Sequence, residues 1–168
     1  SRSNYLVFEF NPAILIFGNN LHTVTYKEFV EIIYDIESKL DFSIQQAIVN
    51  KIHIQSTLQV NKKPITYFNV LGNSSRYLRN PVKSTLYYQT ESKKQYKTNL
   101  FYDKKAQSGQ KKMKGEYLRF ECQLYNEYLK YFARRIGKQR ITIEDLLNPE
   151  IYLKFVDLWY NEYLKVEK

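Results

Sequence analysis

Apolar and polar positions alternate most regularly over two stretches of the chain. In Val49–Val60, Val49, Lys51, His53, Gln55, Thr57 and Gln59 fall on one face, and Asn50, Ile52, Ile54, Ser56, Leu58 and Val60 on the other, mostly apolar one. In Glu116–Tyr125, Leu118, Phe120, Cys122 and Leu124 share one side, and Tyr117, Arg119, Glu121 and Gln123 the other. A period of two is the mark of a half-buried strand. Thr85–Thr90 and Lys97–Asp103 predict two more strands, joined by a lysine-rich turn over Glu91–Gln95. Tyr5–Phe10, aromatic and β-branched, predicts a strand closed by Asn11-Pro12.

Elsewhere the period is helical. Thr25-Tyr-Lys-Glu28 reads as a capping box, in which hydroxyl and carboxylate each satisfy a free amide at a helix start. The helix it opens runs to about Leu40, with Phe29, Ile32, Ile33, Ile36 and Leu40 on one stripe. Asn126–Ile136 predicts a helix whose basic end suits the helix dipole. Thr142-Ile-Glu-Asp145 caps a short helix, and Asn148-Pro149 opens the last one, with Pro at its first position. The apolar stripe of that helix, Phe155, Val156, Trp159 and Tyr163, predicts core. The order of elements predicts an α+β fold, an antiparallel sheet with helices packed on one face. One domain over 1–168 is expected, with a sheet-rich core over 1–125 and a helical part over 126–168.

Composition narrows the function classes. The chain has 168 residues, 43% of them hydrophobic. No apolar run approaches the ~18 residues of a membrane span, and none carries a cleavable signal pattern. Partners other than a membrane are therefore expected. The single Cys122 excludes an intrachain disulfide and is compatible with a reducing cytosol. With His22 and His53 alone beside it, zinc-finger constellations are excluded. Neither a phosphate-binding loop nor a dinucleotide fingerprint occurs.

Charge adds a partner. The net charge is +9, but residues 1–50 carry −3 and residues 51–168 carry +12. With 16 Tyr and 10 Phe the chain is not a disordered basic tail. Such asymmetry suits a polyanion, most simply nucleic acid. The lysines of Glu91–Lys114 read either as a solvated hairpin or as a clamp on a DNA backbone, with Tyr87, Tyr88, Tyr96 and Phe101 interleaved for base stacking.

Three constellations carry chemistry. His53 and Gln55, two apart on a strand, face one way and either meet one cation or phosphate or form a polar surface. Tyr102, followed by Asp103, Lys104 and Lys105, is either a nucleophile helped by cations or one packing tyrosine among sixteen. Glu121 either pairs with Arg119 or binds a cation.

In this order the motifs resemble those of the replication initiator, or nicking, proteins of filamentous phages and related plasmids, relatives of the rolling-circle Rep proteins. Phe10-Asn-Pro-Ala13 through Phe17-Gly-Asn-Asn20 resembles an early family segment. Val49-Asn-Lys-Ile-His53 falls where the family has Arg-Ile-Asp on a strand, and Thr98–Lys104 where it has its nicking tyrosine. Leu118-Arg-Phe-Glu121, Tyr128-Leu-Lys-Tyr-Phe132 and Phe155-Val-Asp-Leu-Trp159 follow in register. The resemblance spans roughly residues 5–165 and has one departure: His53 replaces the family's acid. The wider superfamily uses His-hydrophobe-Gln on this strand, which His53-Ile-Gln55 matches.

The resemblance implies a Rep-nickase-like core and a metal-dependent tyrosine endonuclease and strand transferase that initiates rolling-circle replication. It implies that Tyr102 attacks the scissile phosphate, leaving a 5′-phosphotyrosine, with Lys104 beside it. A divalent cation, Mg²⁺ or Mn²⁺, is expected on His53, Gln55 and Glu121, the imidazole favouring Mn²⁺. Lys51, Lys93, Lys94, Lys97, Lys105, Lys111, Lys112 and Arg119 are expected to contact DNA. Single-stranded or origin DNA is the implied partner, with a host helicase beside it, in the cytoplasm of the host cell. The alternative reading is a catalytically degenerate Rep-like domain that binds DNA without cutting it.

Overall fold

The computed structural model describes residues 6–90, 96–109 and 114–167. The chain divides into two compact units, Ser1–Phe42 and Ser43–Lys168.

The first unit holds two helices. α1 spans Pro12–Phe17 and α2 spans Tyr26–Leu40. Asn11-Pro12 opens α1 rather than closing a strand. The Asn11 side chain accepts the amides of Ala13 and Ile14, and Pro12 occupies the first turn, where its missing N–H costs nothing. Gly18, at φ 66°, ends the helix in the left-handed conformation that favours glycine. The strand predicted over Tyr5–Phe10 does not form over residues 6–10, and Tyr5 lies outside the described residues. Aromatic and β-branched residues favour a strand only where a neighbour takes up the backbone groups. None of the five strands of the sheet includes this segment, and Leu6 and Val7 remain exposed. The capping box of α2 forms as expected, Thr25 accepting the Glu28 amide and Glu28 accepting the Thr25 amide.

The second unit is built on five antiparallel strands: β1 Lys51–Val60, β2 Leu78–Val82, β3 Thr85–Gln89, β4 Lys97–Asp103 and β5 Glu116–Tyr125. Their spatial order is β1-β5-β4-β3-β2. Five helices accompany them: α3 Pro64–Phe68, α4 Lys104–Ser108, α5 Asn126–Arg135, α6 Ile143–Leu147 and α7 Pro149–Leu164. The fold is therefore α+β, as the pattern predicts. Neither β2 nor α4 is evident from periodicity. β2 carries Pro81, tolerated because the strand forms the sheet edge, where a missing donor breaks no inner ladder. Among the described residues no helix is long and apolar enough to cross a membrane.

One sheet face is the core. Leu86, Tyr88, Phe101 and Phe120 meet Phe68 of α3, Leu71 and Val166, with Trp159 and Tyr163 of α7 packed against them. The Phe120 ring lies 4.6 Å from that of Phe101 and 5.4 Å from that of Trp159. The apolar side of the β5 alternation thus points under α7. Val156 departs from the predicted stripe: it is exposed, and Glu162 is buried in the helix instead. Glu162 accepts hydrogen bonds from Tyr77 at 2.6 Å, Asn99 at 2.8 Å, and Lys97 and Lys165 at 2.5 and 2.6 Å. Four donors make burial of one carboxylate tolerable.

Candidate functional site

In an antiparallel ladder, directly opposed residues point to the same face. The register sets Thr57, Arg119 and Tyr102 side by side across β1, β5 and β4. One pair further along, Gln55 faces Glu121, and beyond it His53 faces Gln123. All lie on the face opposite Phe101 and Phe120. Residues from three separate motifs therefore meet on a patch that local sequence leaves far apart.

Glu121 is the centre. Its Oε2 accepts the Tyr102 hydroxyl at 2.8 Å. Its Oε1 accepts the Gln123 amide at 2.7 Å and lies 3.0 Å from His53 Nδ1. Burial pushes the carboxyl pKa up. Hydrogen bonds from His53, Gln123 and Tyr102 outweigh it and hold the pKa at about 2. Glu121 is thus an anion whose two oxygens are shared by three groups.

Cations flank the tyrosine. Arg119 is buried, donating from Nε to Thr57 at 2.7 Å and from Nη1 to Gln55 at 2.9 Å. Its guanidinium carbon lies 5.9 Å from the Tyr102 ring centre, and Lys104 Nζ lies 5.8 Å from it. Asp103 caps α4 by accepting the Ala106 amide, and this turn brings Lys104 back toward the ring. Lys104 is fully buried and donates to Gln107. Burial, then the neighbouring Arg119, lowers its pKa to about 8. The Tyr102 hydroxyl moves the opposite way: burial first and the charge of Glu121 second push its pKa up, with Arg119 opposing.

The remaining expected residues fall in different places. Lys51 lies on the same face as His53, with Nζ 5.9 Å from the Tyr125 ring. Lys105 pairs with Glu116 at 3.7 Å. Lys97 points to the other face, where it is bonded to Glu162. It is five residues from Tyr102 on the same strand, and odd spacing reverses the face. Lys93, Lys94, Lys111 and Lys112 lie outside the described residues. Gln123 and Tyr125 escape the sequence reading. Gln123 holds Glu121, and the Tyr125 hydroxyl donates to Gln123 at 2.7 Å. The polar side of β5 marks both positions, but only the register shows what Gln123 holds.

Among the described residues no three His, Cys, Asp or Glu side chains converge. The mixed set His53, Glu121 and Gln55 fits a divalent cation in its donor chemistry. His53 Nδ1 and Glu121 Oε1 are 3.0 Å apart. That separation is the hydrogen bond described above, which a cation at this place would replace. The amide oxygen of Gln55, which would be the third donor, accepts instead from Arg119. Comparison with protein-family models, curated proteins and solved structures finds no match for this chain.

Proposed function

We propose that this chain nicks single-stranded DNA and transfers the cut strand through a 5′-phosphotyrosine on Tyr102, the step that opens rolling-circle replication. The observation that carries the reading is the tyrosine hydroxyl held on the Glu121 carboxylate with Arg119 and Lys104 beside its ring. A phosphodiester attacked by a phenol needs an aligned oxygen, a place for its proton and positive charge near the phosphate.

Each need has a candidate. Tyr102 Oη forms a bond to phosphorus as the bond from phosphorus to the 3′ oxygen breaks. Glu121, too weak a base to deprotonate a resting phenol, aligns the hydroxyl and takes its proton as the new bond draws electron density away. Arg119 and Lys104 offset the charge on the phosphate oxygens. The released 3′ oxygen takes a proton from water and leaves as a 3′-hydroxyl. His53 and Glu121, with Gln55, would hold a divalent cation, which when bound would polarise the phosphate. Lys51 and Lys105 would follow the strand backbone.

A second reading rests on the burial of Tyr102, which is 5% exposed with its hydroxyl pKa pushed up. In that reading the domain binds DNA and does not cut it. One experiment separates the two: incubation with labelled single-stranded oligonucleotides and Mn²⁺ or Mg²⁺, followed by denaturing gel electrophoresis. The nickase reading expects a shifted label with the wild type and none with Tyr102→Phe, while DNA affinity is kept. An adduct that persists in Tyr102→Phe overturns the assignment. Salt-sensitive binding without any adduct favours the second reading.

A further inference from the structure

On the other side of the sheet, α5 and α7 border an open cleft of about 460 Å³. Its volume lies in the range of small-ligand sites. From α5 come Tyr128, Tyr131 and Arg135; from α7 comes Lys154; Lys97 and Glu162 lie deeper. Lys97 already marks this as a different surface from the Tyr102 patch, because it points to the opposite face of β4.

The chemistry of the lining is specific. Glu162 is committed to Lys97, Lys165, Tyr77 and Asn99, so its charge is spent inside the fold. Lys97 Nζ lies 4.7 Å from the Tyr128 ring centre. Arg135 lies 5.9 Å from the ring of Tyr131, which is 47% exposed. Lys154 has no carboxylate partner among the described residues. Arg135 and Lys154 therefore outnumber the one remaining lining acid, Asp157. Flat aromatic faces next to unneutralised cations match a ligand that is itself a flat ring joined to a phosphate.

We propose that the cleft between α5 and α7 binds a nucleotide unit, either free or within a single strand, apart from the Tyr102 patch. The inference goes beyond the nicking reading and stands without it. Tyr131 stacks on the base, with the tilted Tyr128 ring beside it, and Arg135 and Lys154 meet the phosphate. In a strand the site holds a segment on the far side of the sheet from the scissile bond.

The test uses the full chain and a fluorescein-labelled deoxythymidine decamer, read by anisotropy, with thymidine 5′-monophosphate as competitor. The variants are Tyr131→Ala and the double variant Arg135→Glu/Lys154→Glu. All three side chains are exposed, so each variant is expected to keep the wild-type melting curve. Loss of one stacked base weakens binding about tenfold or more, and the charge reversal at least as much. Displacement of the decamer by the mononucleotide assigns a free-nucleotide site. Weakened decamer binding without such displacement assigns a strand site. Decamer binding unchanged in both folded variants, or absent from the wild type, overturns the proposal. The Tyr102 adduct assay scores the nicking reading separately: Tyr102→Phe leaves decamer binding intact if the cleft is the site.

Discussion

Replacing Glu121 with Gln tests whether the central carboxylate is ionised and held by three donors. The amide keeps the size of the side chain and one acceptor oxygen, but its NH₂ is set against Gln123 Nε2 or the hydrogen on His53 Nδ1. The folded pKa of about 2 lies below the reference value of 4.5. A depressed folded pKa adds stability that is complete above the unfolded pKa and is lost as pH falls through the folded value. That difference corresponds to about 3 kcal/mol at neutral pH, less than half of which remains near pH 3. Glu162, also held at about 2, is common to both proteins and cancels from the comparison. Urea denaturation of the wild type and Glu121→Gln at several pH values between about 7 and 3 measures this. The stability gap is expected to narrow by roughly 2 kcal/mol over that range. A gap that is the same at every pH would mean that Glu121 titrates alike folded and unfolded, free of these partners, and a gap that widens toward low pH would mean that it is protonated in the fold; either result overturns the three-donor arrangement.

Other consequences are read more directly. Phe120→Ala removes the ring stacked on Phe101 and touching Trp159, and is expected to cost about 3–5 kcal/mol in urea denaturation. If Lys51 and Lys105 track a DNA backbone, charge reversal at each weakens binding alike for every sequence. It also lowers the slope of log affinity against log salt by roughly one for each phosphate no longer neutralised, as read in a titration.

The parts of the fold carried by local chemistry are legible in the sequence. The alternation in β5 fixes which side faces α7, and the hydroxyl–carboxylate pairs of Thr25 with Glu28 and Thr142 with Asp145 open helices where their spacing says. What is not legible depends on partners remote in sequence. β2 is a strand only because β3 pairs with it, and residues 6–10 lack strand structure despite a favourable composition. The candidate site divides in the same way. Tyr102, Glu121 and His53 stand out by residue type, and strand parity alone separates Lys97 from them. That Gln123 holds Glu121, or that Arg119 binds Gln55 and Thr57, follows from the register of three strands.

The buried carboxylate of Glu162 bears on how this protein is made. Its donors Tyr77, Lys97 and Asn99 precede it by 85, 65 and 63 residues. Until residue 162 has been made, Tyr77 and the β4 residues Lys97 and Asn99 lack this acceptor. An Asn99 side chain buried there would lack its hydrogen bond. At ~5–20 residues per second, several seconds separate synthesis of β4 from that of residue 162. The strands are all made by residue 125, but the hydrogen bonding of this sheet face is complete only once the segment bearing Glu162 has been made.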